Sequence, residues 1–537
     1  MLFHACAPLT AESTRLVHVT LRRRRTRANV REPGSFLVTN RRPRMTRSPG
    51  ATALAAWLAL LAPIGAAAQQ ASRLQLAPCT LPGVSASVNA RCGTLQVPEN
   101  RGVKDGRLIP LRVVVLPATG RERAPDPVFF IAGGPGSSVV EDAGGIAWDP
   151  AGLRERRDLV LVDQRGTGES RPLDCLFYGP PDSLQSFLGD FMPPAAVRRC
   201  RDTYAKDTDL TQYTTTIAAH DLDAVRAALG AERVNLSGGS YGTRAAQEYM
   251  RRYPSRVRTA SLFGVVAPSE AMPQRFARDA QNALDAVVKE CGAEDACRTA
   301  FPRLGDEIRA VFDGLARAPA RLTVEHPRTK QLATVWLSYD MVAETLRYML
   351  YSSTEAALVP VVMHTAAVGD FTWLARRALR ARGAYTGNGN FDGLYLAITC
   401  AEDVPRTDPA REAIDAKGTF LGEYRMKQQR AACELWGRSP VPADYYTPVR
   451  STAAVLLVTG ANDPVTPPRY AAEVARTLPN ALNLVVPFGA HGLFGLDGLA
   501  CINEIERQVI ERASVGGIDT SCVSKIRRRG FPTELPR

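Results

Sequence analysis

Histidine is scarce in this chain, with six residues among 537. No C-x-x-C pair occurs, so the eleven cysteines support neither a zinc site nor a thioredoxin-like redox motif. No internal repeat or long low-complexity linker is present, which excludes a repeat array. Beyond the first 68 residues no run is long and apolar enough to span a bilayer, so no stable membrane insertion of the mature chain is expected. Acids are nearly missing from residues 1–44, which hold ten arginines against Glu12 and Glu32. With Arg47, that tail carries most of the formal charge of +13. A nucleic-acid-binding protein needs its basic face on the folded part. The remainder here is only mildly basic, and nucleic acid is not an expected partner. Hydrophobic residues at 45% and charged residues at 23% exclude wholesale disorder and collagen-like repeats.

What is present begins with an export signal. Met45-Thr46-Arg47 is a short basic stretch, Ala51 to Ile64 is apolar, and Ala66-Ala67-Ala68 supplies small residues. That order predicts a signal peptide over residues 45–68, cleaved after about Ala68. Residues 1–44 then lie outside the mature protein, as an upstream misreading of the gene or an added tail. The competing readings are an uncleaved anchor, which Pro63 and Gly65 interrupt, and a transit peptide. No cysteine stands at the cleavage point, which argues against a lipoprotein, and twin-arginine export at Arg41-Arg42 fits poorly. The expected location is secreted or periplasmic.

The cysteines agree with export. Apart from Cys6 in the tail there are ten: Cys79, Cys92, Cys175, Cys200, Cys291, Cys297, Cys400, Cys433, Cys501 and Cys522. An even number behind a signal peptide suggests disulfides. Consecutive cysteines form five short-range couples, the simplest pairing, although sequence alone leaves connectivity open.

Short apolar runs predict strands at 109–116, 128–131, 159–162, 234–236, 260–265, 454–458 and 482–486. Helical periodicity lies between the later ones, at 221–229 and 470–478. Alternating strands and helices predict an α/β protein with a mainly parallel sheet. The rhythm breaks between Val266 and Ser451, where helical patterns at 276–289, 304–315 and 341–351 replace core strands. The expected organisation is a core over residues 75–265, a helical cap insertion over 266–450, and a return to the core over 451–525.

Four elements carry chemistry. Gly238-Gly239-Ser240-Tyr241-Gly242 fits G-x-S-x-G between a predicted strand and a helix, the context of a nucleophile elbow. Ala132-Gly133-Gly134-Pro135-Gly136 directly follows the strand ending at Ile131. A serine hydrolase needs two backbone N–H groups aimed at the developing oxyanion; Tyr241 and Gly134 are the candidates. Asp463 and His491 each sit just past a late strand, and the order Ser240, Asp463, His491 is that of the α/β-hydrolase triad. His491 would act as base and then acid, with Asp463 orienting it. The other histidines lie in the tail, in the insertion, or, as His220, at a helix start. The run Asp163-Gln164-Arg165-Gly166-Thr167-Gly168 lacks both phosphate-loop patterns and reads as structural, with Arg165 pairing near the oxyanion loop.

On the GGPG and DQRGTG runs, the GGSYGT elbow, and the end from Leu456 to about Cys522 with its DPVTPP, the chain resembles the secreted prolyl- and tripeptidyl-aminopeptidases of the α/β-hydrolase superfamily. The likeness is weakest in the insertion. Relatives often carry His before Gly-Gly-Pro-Gly; here it is Ala132, which speaks against the strict proline-specific type. The resemblance implies an exopeptidase acting on peptide N-termini without metal or organic cofactor. A helical cap would cover its site, with acidic cap residues binding the substrate amine. Glu402, Asp403 and Glu434, beside Cys400 and Cys433, are the candidates, against the plainer reading of a solvated acidic surface. Trp373, Trp436, Tyr445 and Tyr446 would line the pocket or pack the core.

The expected partner is therefore a peptide or a small ester. An esterase on the same machinery is the rival reading, and a non-catalytic binding protein a third. Haloalkane dehalogenase and epoxide hydrolase chemistry is excluded, because those enzymes place Asp where Ser240 stands.

Overall fold

The computed structural model describes residues 74–175, 177–178, 183–326, 329–383 and 391–536. The expected tail and signal peptide, residues 1–68, lie outside the described residues.

A nine-stranded sheet organises the chain. It is built from β1 (Ala77–Pro78), β2 (Arg91–Pro98), β3 (Leu108–Leu116), β4 (Val128–Ile131), β5 (Leu159–Val162), β6 (Val234–Gly239), β7 (Val257–Phe263), β10 (Ala454–Gly460) and β11 (Ala481–Val486). Two further strands, β8 (Ala320–Glu325) and β9 (Leu332–Leu337), form a separate antiparallel pair. The order across the large sheet is β1-β2-β3-β5-β4-β6-β7-β10-β11. β5, β4, β6, β7, β10 and β11 run parallel, and β1, β2 and β3 are antiparallel at one edge. This is the expected α/β architecture.

Burial explains the strand composition. Every residue of β5, β6 and β10 is buried, as a doubly covered parallel sheet requires, including the polar Asn235 and Ser237 of β6. Strand β2 went unrecognised in the sequence because Gly93-Thr94 interrupts its alternation. Gly93 is needed there: a Cβ would lie 2.4 Å from the Gln75 carbonyl oxygen.

Between β7 and β10 the described chain is mostly helical, with helices at Phe276–Ala293, Leu304–Arg317, Tyr339–Met349, Thr372–Ala381, Asp392–Glu402 and Tyr424–Trp436 among them. The β8–β9 pair was not anticipated. Its one buried face, with Val324, Val335 and Leu337, is too short to stand out against its charged neighbours. Phe276, Leu284, Ile308, Phe312, Val335 and Met341 form a core of their own, separate from the core around the sheet.

Five disulfides tie the chain locally: Cys79–Cys92, Cys175–Cys200, Cys291–Cys297, Cys400–Cys433 and Cys501–Cys522. Among the described residues no helix is long and apolar enough to cross a membrane.

Candidate active site

Ser240 stands between β6 and the helix Tyr241–Arg252, at φ 55° and ψ −123°. A positive φ is strained for a residue with a Cβ. The turn is held from both sides. The Ser240 N–H donates to the Phe263 carbonyl at 2.8 Å, and the Ser240 carbonyl accepts from the Thr243 hydroxyl at 2.7 Å. The elbow glycines are sterically required. A Cβ on Gly242 would come within 2.3 Å of the Ile131 carbonyl oxygen, so glycine lets the elbow press against the end of β4.

That contact sets the elbow beside the Gly133–Gly136 loop. Gly134 has φ +109°, and the Gly136 carbonyl accepts from the Phe391 N–H at 2.8 Å. Asp163 braces the same loop: its Oδ1 accepts from the Ser138 hydroxyl at 2.6 Å and from the Val140 N–H at 3.2 Å. Burial raises the Asp163 pKa despite these bonds. Arg165 does not take part, contrary to the sequence expectation. Its guanidinium donates to Asp221 at 2.6 and 2.9 Å and to the carbonyls of Glu99 and Gln212. Asp163 turns toward the loop, while Arg165 sits in a turn closed by the Thr167 N–H on the Gln164 carbonyl and reaches Asp221, which compensates its buried charge.

Asp463 and His491 meet at the neighbouring strand ends. His491 Nδ1 lies 2.8 Å from Asp463 Oδ2. The Thr466 hydroxyl donates to the same Oδ2 at 2.7 Å and lies 3.0 Å from Nδ1. Asp463 Oδ1 accepts from the Val465 and Thr466 N–H groups, each at 2.8 Å. Burial opposes ionisation of Asp463, but the His491 charge and these bonds together hold its pKa below the ordinary value. An ionised Asp463 only accepts hydrogen bonds, so the His491 proton belongs on Nδ1, which leaves Nε2 as an acceptor. The imidazole lies against Gly264, where a Cβ would sit 3.0 Å from Cε1. Gly264 follows Phe263, the residue that accepts from Ser240, so ring and elbow share one support.

The helical region grips the His491 turn. The Gly492 N–H donates to the Tyr351 carbonyl at 2.6 Å, and the Ala490 N–H to the Ser353 hydroxyl at 3.0 Å. Thr466 could have been read from its place three residues after Asp463, a common side-chain-to-backbone spacing. Nothing in the sequence marks Tyr351 or Ser353.

The Tyr241 hydroxyl is anchored away from the turn. It accepts from Gln164 Nε2 at 3.0 Å and pairs with the Thr215 hydroxyl at 2.9 Å. Thr215 in turn donates to Glu402, through N–H at 2.6 Å and hydroxyl at 2.7 Å, and the Tyr445 hydroxyl donates to Glu402 as well. Burial pushes the Glu402 pKa up to about 7, against the pull of Arg244. Asp403 accepts two bonds from Arg244 Nη1, at 2.8 and 2.9 Å, and one from the Met272 N–H at 3.0 Å.

These contacts revise the expected amine site. Glu402 and Asp403 are neither solvated nor open, being 0% and 1% exposed with their oxygens occupied by protein donors. The Cys400–Cys433 bridge closes, yet Glu434 stays exposed. Trp436 and Tyr445 are core residues, and Tyr446 stacks under the Arg406 guanidinium at 4.0 Å. Trp373 packs, half-buried, against the helical core. His220 pairs with the Tyr253 hydroxyl at 2.6 Å and His364 with Glu307 at 3.0 Å. Among the described residues no cluster of histidine, cysteine and acids could hold a metal.

Comparison with known proteins agrees with this geometry. Residues 126–299 match the family model described as the α/β hydrolase fold, and residues 418–522 match that of the TAP-like protein. The chain is 28% identical over 462 residues to serine protease Hip1 of Mycobacterium tuberculosis, covering 80% of this chain and 86% of that protein. It is 26% identical over 463 residues to the tripeptidyl aminopeptidase of Streptomyces coelicolor, covering 80% and 83%. It is also 28% identical over 450 residues to a Mycobacterium tuberculosis protein named carboxylesterase B, covering 77% and 82%.

Proposed function

Because the chain is an α/β-hydrolase with a TAP-like C-terminal segment, we propose that it is an exported serine aminopeptidase releasing residues or short peptides from peptide N-termini. The observation that carries this reading is the 2.8 Å contact between Asp463 and His491 beside the strained Ser240 elbow. The relatives named serine protease and tripeptidyl aminopeptidase support the peptide substrate.

In this reading Ser240 Oγ attacks the scissile carbonyl as His491 Nε2 takes its proton. The Gly134 and Tyr241 N–H groups hold the oxyanion. His491 then protonates the leaving amine, and water hydrolyses the acyl-enzyme by the reverse relay. Asp463, fixed by Thr466, keeps the ring in its tautomer and stabilises its cation. Residues 266–450 act as the cap, a role supported by the contacts of Tyr351 and Ser353 with the His491 turn and of Phe391 with Gly136. Export through a signal peptide at 45–68 is supported by five disulfides, which persist in oxidising compartments.

The likeness to carboxylesterase B favours esters as the second reading, since both reactions are acyl transfers. A release assay on the chain from Gln69 onward separates the two. Free-amine aminoacyl and tripeptidyl chromogenic amides, their N-blocked forms and short acyl esters are compared, with Ser240→Ala as control. Cleavage restricted to free-amine amides and lost in the control is expected. Ester cleavage alone, or indifference to blocking, overturns the aminopeptidase.

A further inference from the structure

Three arginines from separate elements converge in the helical region, and their charge exceeds that of their partners. Arg347 lies on the helix Tyr339–Met349, Arg382 just after Thr372–Ala381, and Arg425 on Tyr424–Trp436. They are 1%, 5% and 4% exposed. One carboxylate binds two of them directly. Glu344 accepts from Arg347 at 2.8 and 3.0 Å and from Arg425 at 3.2 Å. Although burial opposes it, these guanidiniums hold Glu344 ionised, with a pKa of about 2.

The remaining contacts are neutral. Arg347 donates to the Tyr351 hydroxyl and Arg425 to the Tyr395 hydroxyl at 2.8 Å, while among the described residues Arg382 donates only to the Asp190 carbonyl, at 3.4 Å. Two buried donors have no acceptor, Arg382 Nη2 and Arg425 Nε. Both belong to guanidiniums stacked on one ring, that of Phe191, at 5.2 and 3.7 Å from its centroid.

The other nearby acids do not balance this charge. Asp392, which Arg382 and Arg425 influence, is pushed by burial up to about 7 and so is only partly ionised near neutral pH. Asp340 is half-buried, and the charges it feels are those of Asp190, Glu344 and Lys427, not of the three arginines. A buried guanidinium without a counter-charge costs several kcal/mol, and a carboxylate that brings acceptors to it makes strong, oriented hydrogen bonds.

The cluster touches the candidate active site on two flanks. Arg347 bonds to Tyr351, whose ring packs on His491 at 5.1 Å. Arg425 bonds to Tyr395, whose backbone N would lie 3.6 Å from a Cβ on Gly136 of the oxyanion loop. Phe191, Tyr351 and Tyr395, whose rings pack on these guanidiniums, are each partly exposed residues.

We infer that Arg382 and Arg425 form a subsite for a carboxylate of the substrate, with Arg347 and Glu344 holding its base. The carboxylate is either an acidic side chain beside the scissile bond or the free C-terminus of a short peptide. This deepens the peptidase reading and rests on it for the word substrate.

The test measures binding, so that it does not depend on turnover. Mature chain carrying Ser240→Ala is titrated calorimetrically with three amine-free-ended peptides: Ala-Ala-Glu amide, Ala-Ala-Gln amide and Ala-Ala-Gln acid. One carboxylate peptide is expected to bind at least about ten-fold more tightly than the neutral amide, and which one identifies the source. In Arg382→Gln and Arg425→Gln that ratio is expected to fall to within about two-fold of unity. Among the described residues Arg382→Gln breaks no ion pair, only one long contact to a carbonyl and the stacking on Phe191 and Tyr178, so it keeps the test decisive if Arg425→Gln fails to fold. Equal affinity for all three peptides, or a preference surviving Arg382→Gln, overturns the subsite. A Ser240-bearing chain that cleaves no peptide overturns the peptidase instead and leaves the binding ratio standing.

Discussion

The Tyr351 ring meets the His491 imidazole edge-on, with 5.1 Å between centroids and 75° between planes. It is a packing contact between the helical region and the candidate base. An aromatic neighbour in this geometry limits rotation of the imidazole without competing for its nitrogens. Small misplacements of a catalytic group cost up to about 100-fold in rate. Tyr351→Ala is therefore expected to lower kcat about ten-fold or more with a smaller change in KM, while Tyr351→Phe, which keeps the ring, retains most of the activity. Steady-state kinetics of both variants check this, and equal losses would show that the hydroxyl matters and not the packing.

Thr466 offers a second handle on the base. Its hydroxyl donates to the carboxylate oxygen that faces His491. Thr466→Val keeps the shape and deletes the donor, at a cost of about 1–3 kcal/mol for a buried charged acceptor. The expected result is a fall in kcat of about ten-fold or more and a raised pKa on the acidic limb of the pH–rate profile, because the Asp463 oxygen, relieved of a competing donor, holds the imidazolium more strongly. A profile that merely scales down, without moving, would assign Thr466 to folding.

Asp463→Asn should do more damage than Thr466→Val. An amide in place of the carboxylate favours the wrong tautomer of His491, and in related triads this costs about 10⁴ in kcat. Ser240→Ala is expected to remove turnover while leaving the chain folded, since the strained turn is held by backbone bonds. Circular dichroism and active-site titration distinguish loss of chemistry from loss of fold.

Glu402 predicts how stability depends on pH. Its pKa is about 7 in the folded protein, against an ordinary 4.5, because burial disfavours its charge. The protonated form is thus favoured by folding. Its contribution is fully present below 4.5 and is lost as pH rises through about 7, by about 3 kcal/mol over that window. Glu402→Gln should flatten this slope in thermal unfolding measured from pH 4.5 to 8. A slope identical to that of the parent would place the proton elsewhere, with Glu506, also pushed up to about 7 by burial, as the next candidate.

The Cys400–Cys433 bridge closes a loop of 33 residues in sequence. Loop-closure entropy sets its worth at about 2–4 kcal/mol. Replacing both cysteines by alanine should lower stability by that amount and loosen the helix that carries Glu402. Denaturant unfolding checks the first effect, and amide exchange at residues 392–402 the second.

The sequence alone was enough for what depends on neighbours along the chain. Six short apolar runs, from 128 to 131 through 481 to 486, are strands because buried parallel strands need nothing but a local string of apolar residues. The elbow and the Gly133–Gly136 loop are legible for the same reason, since glycine requirements follow from the turn itself. Chain order then aligned Ser240, Asp463 and His491. Tertiary structure decided everything that depends on what lies across the fold. Glu402 reads as a surface acid until Thr215, 187 residues earlier, takes its oxygens. Asp403 reads the same way until Arg244, 159 residues away, pairs with it. Arg165 turned to Asp221 and not to the Gly133–Gly136 loop, and Tyr351 came to rest on His491 from 140 positions upstream. A charge has one appearance in sequence and two fates, solvated or buried with a partner. Only the packing of distant segments chooses between them.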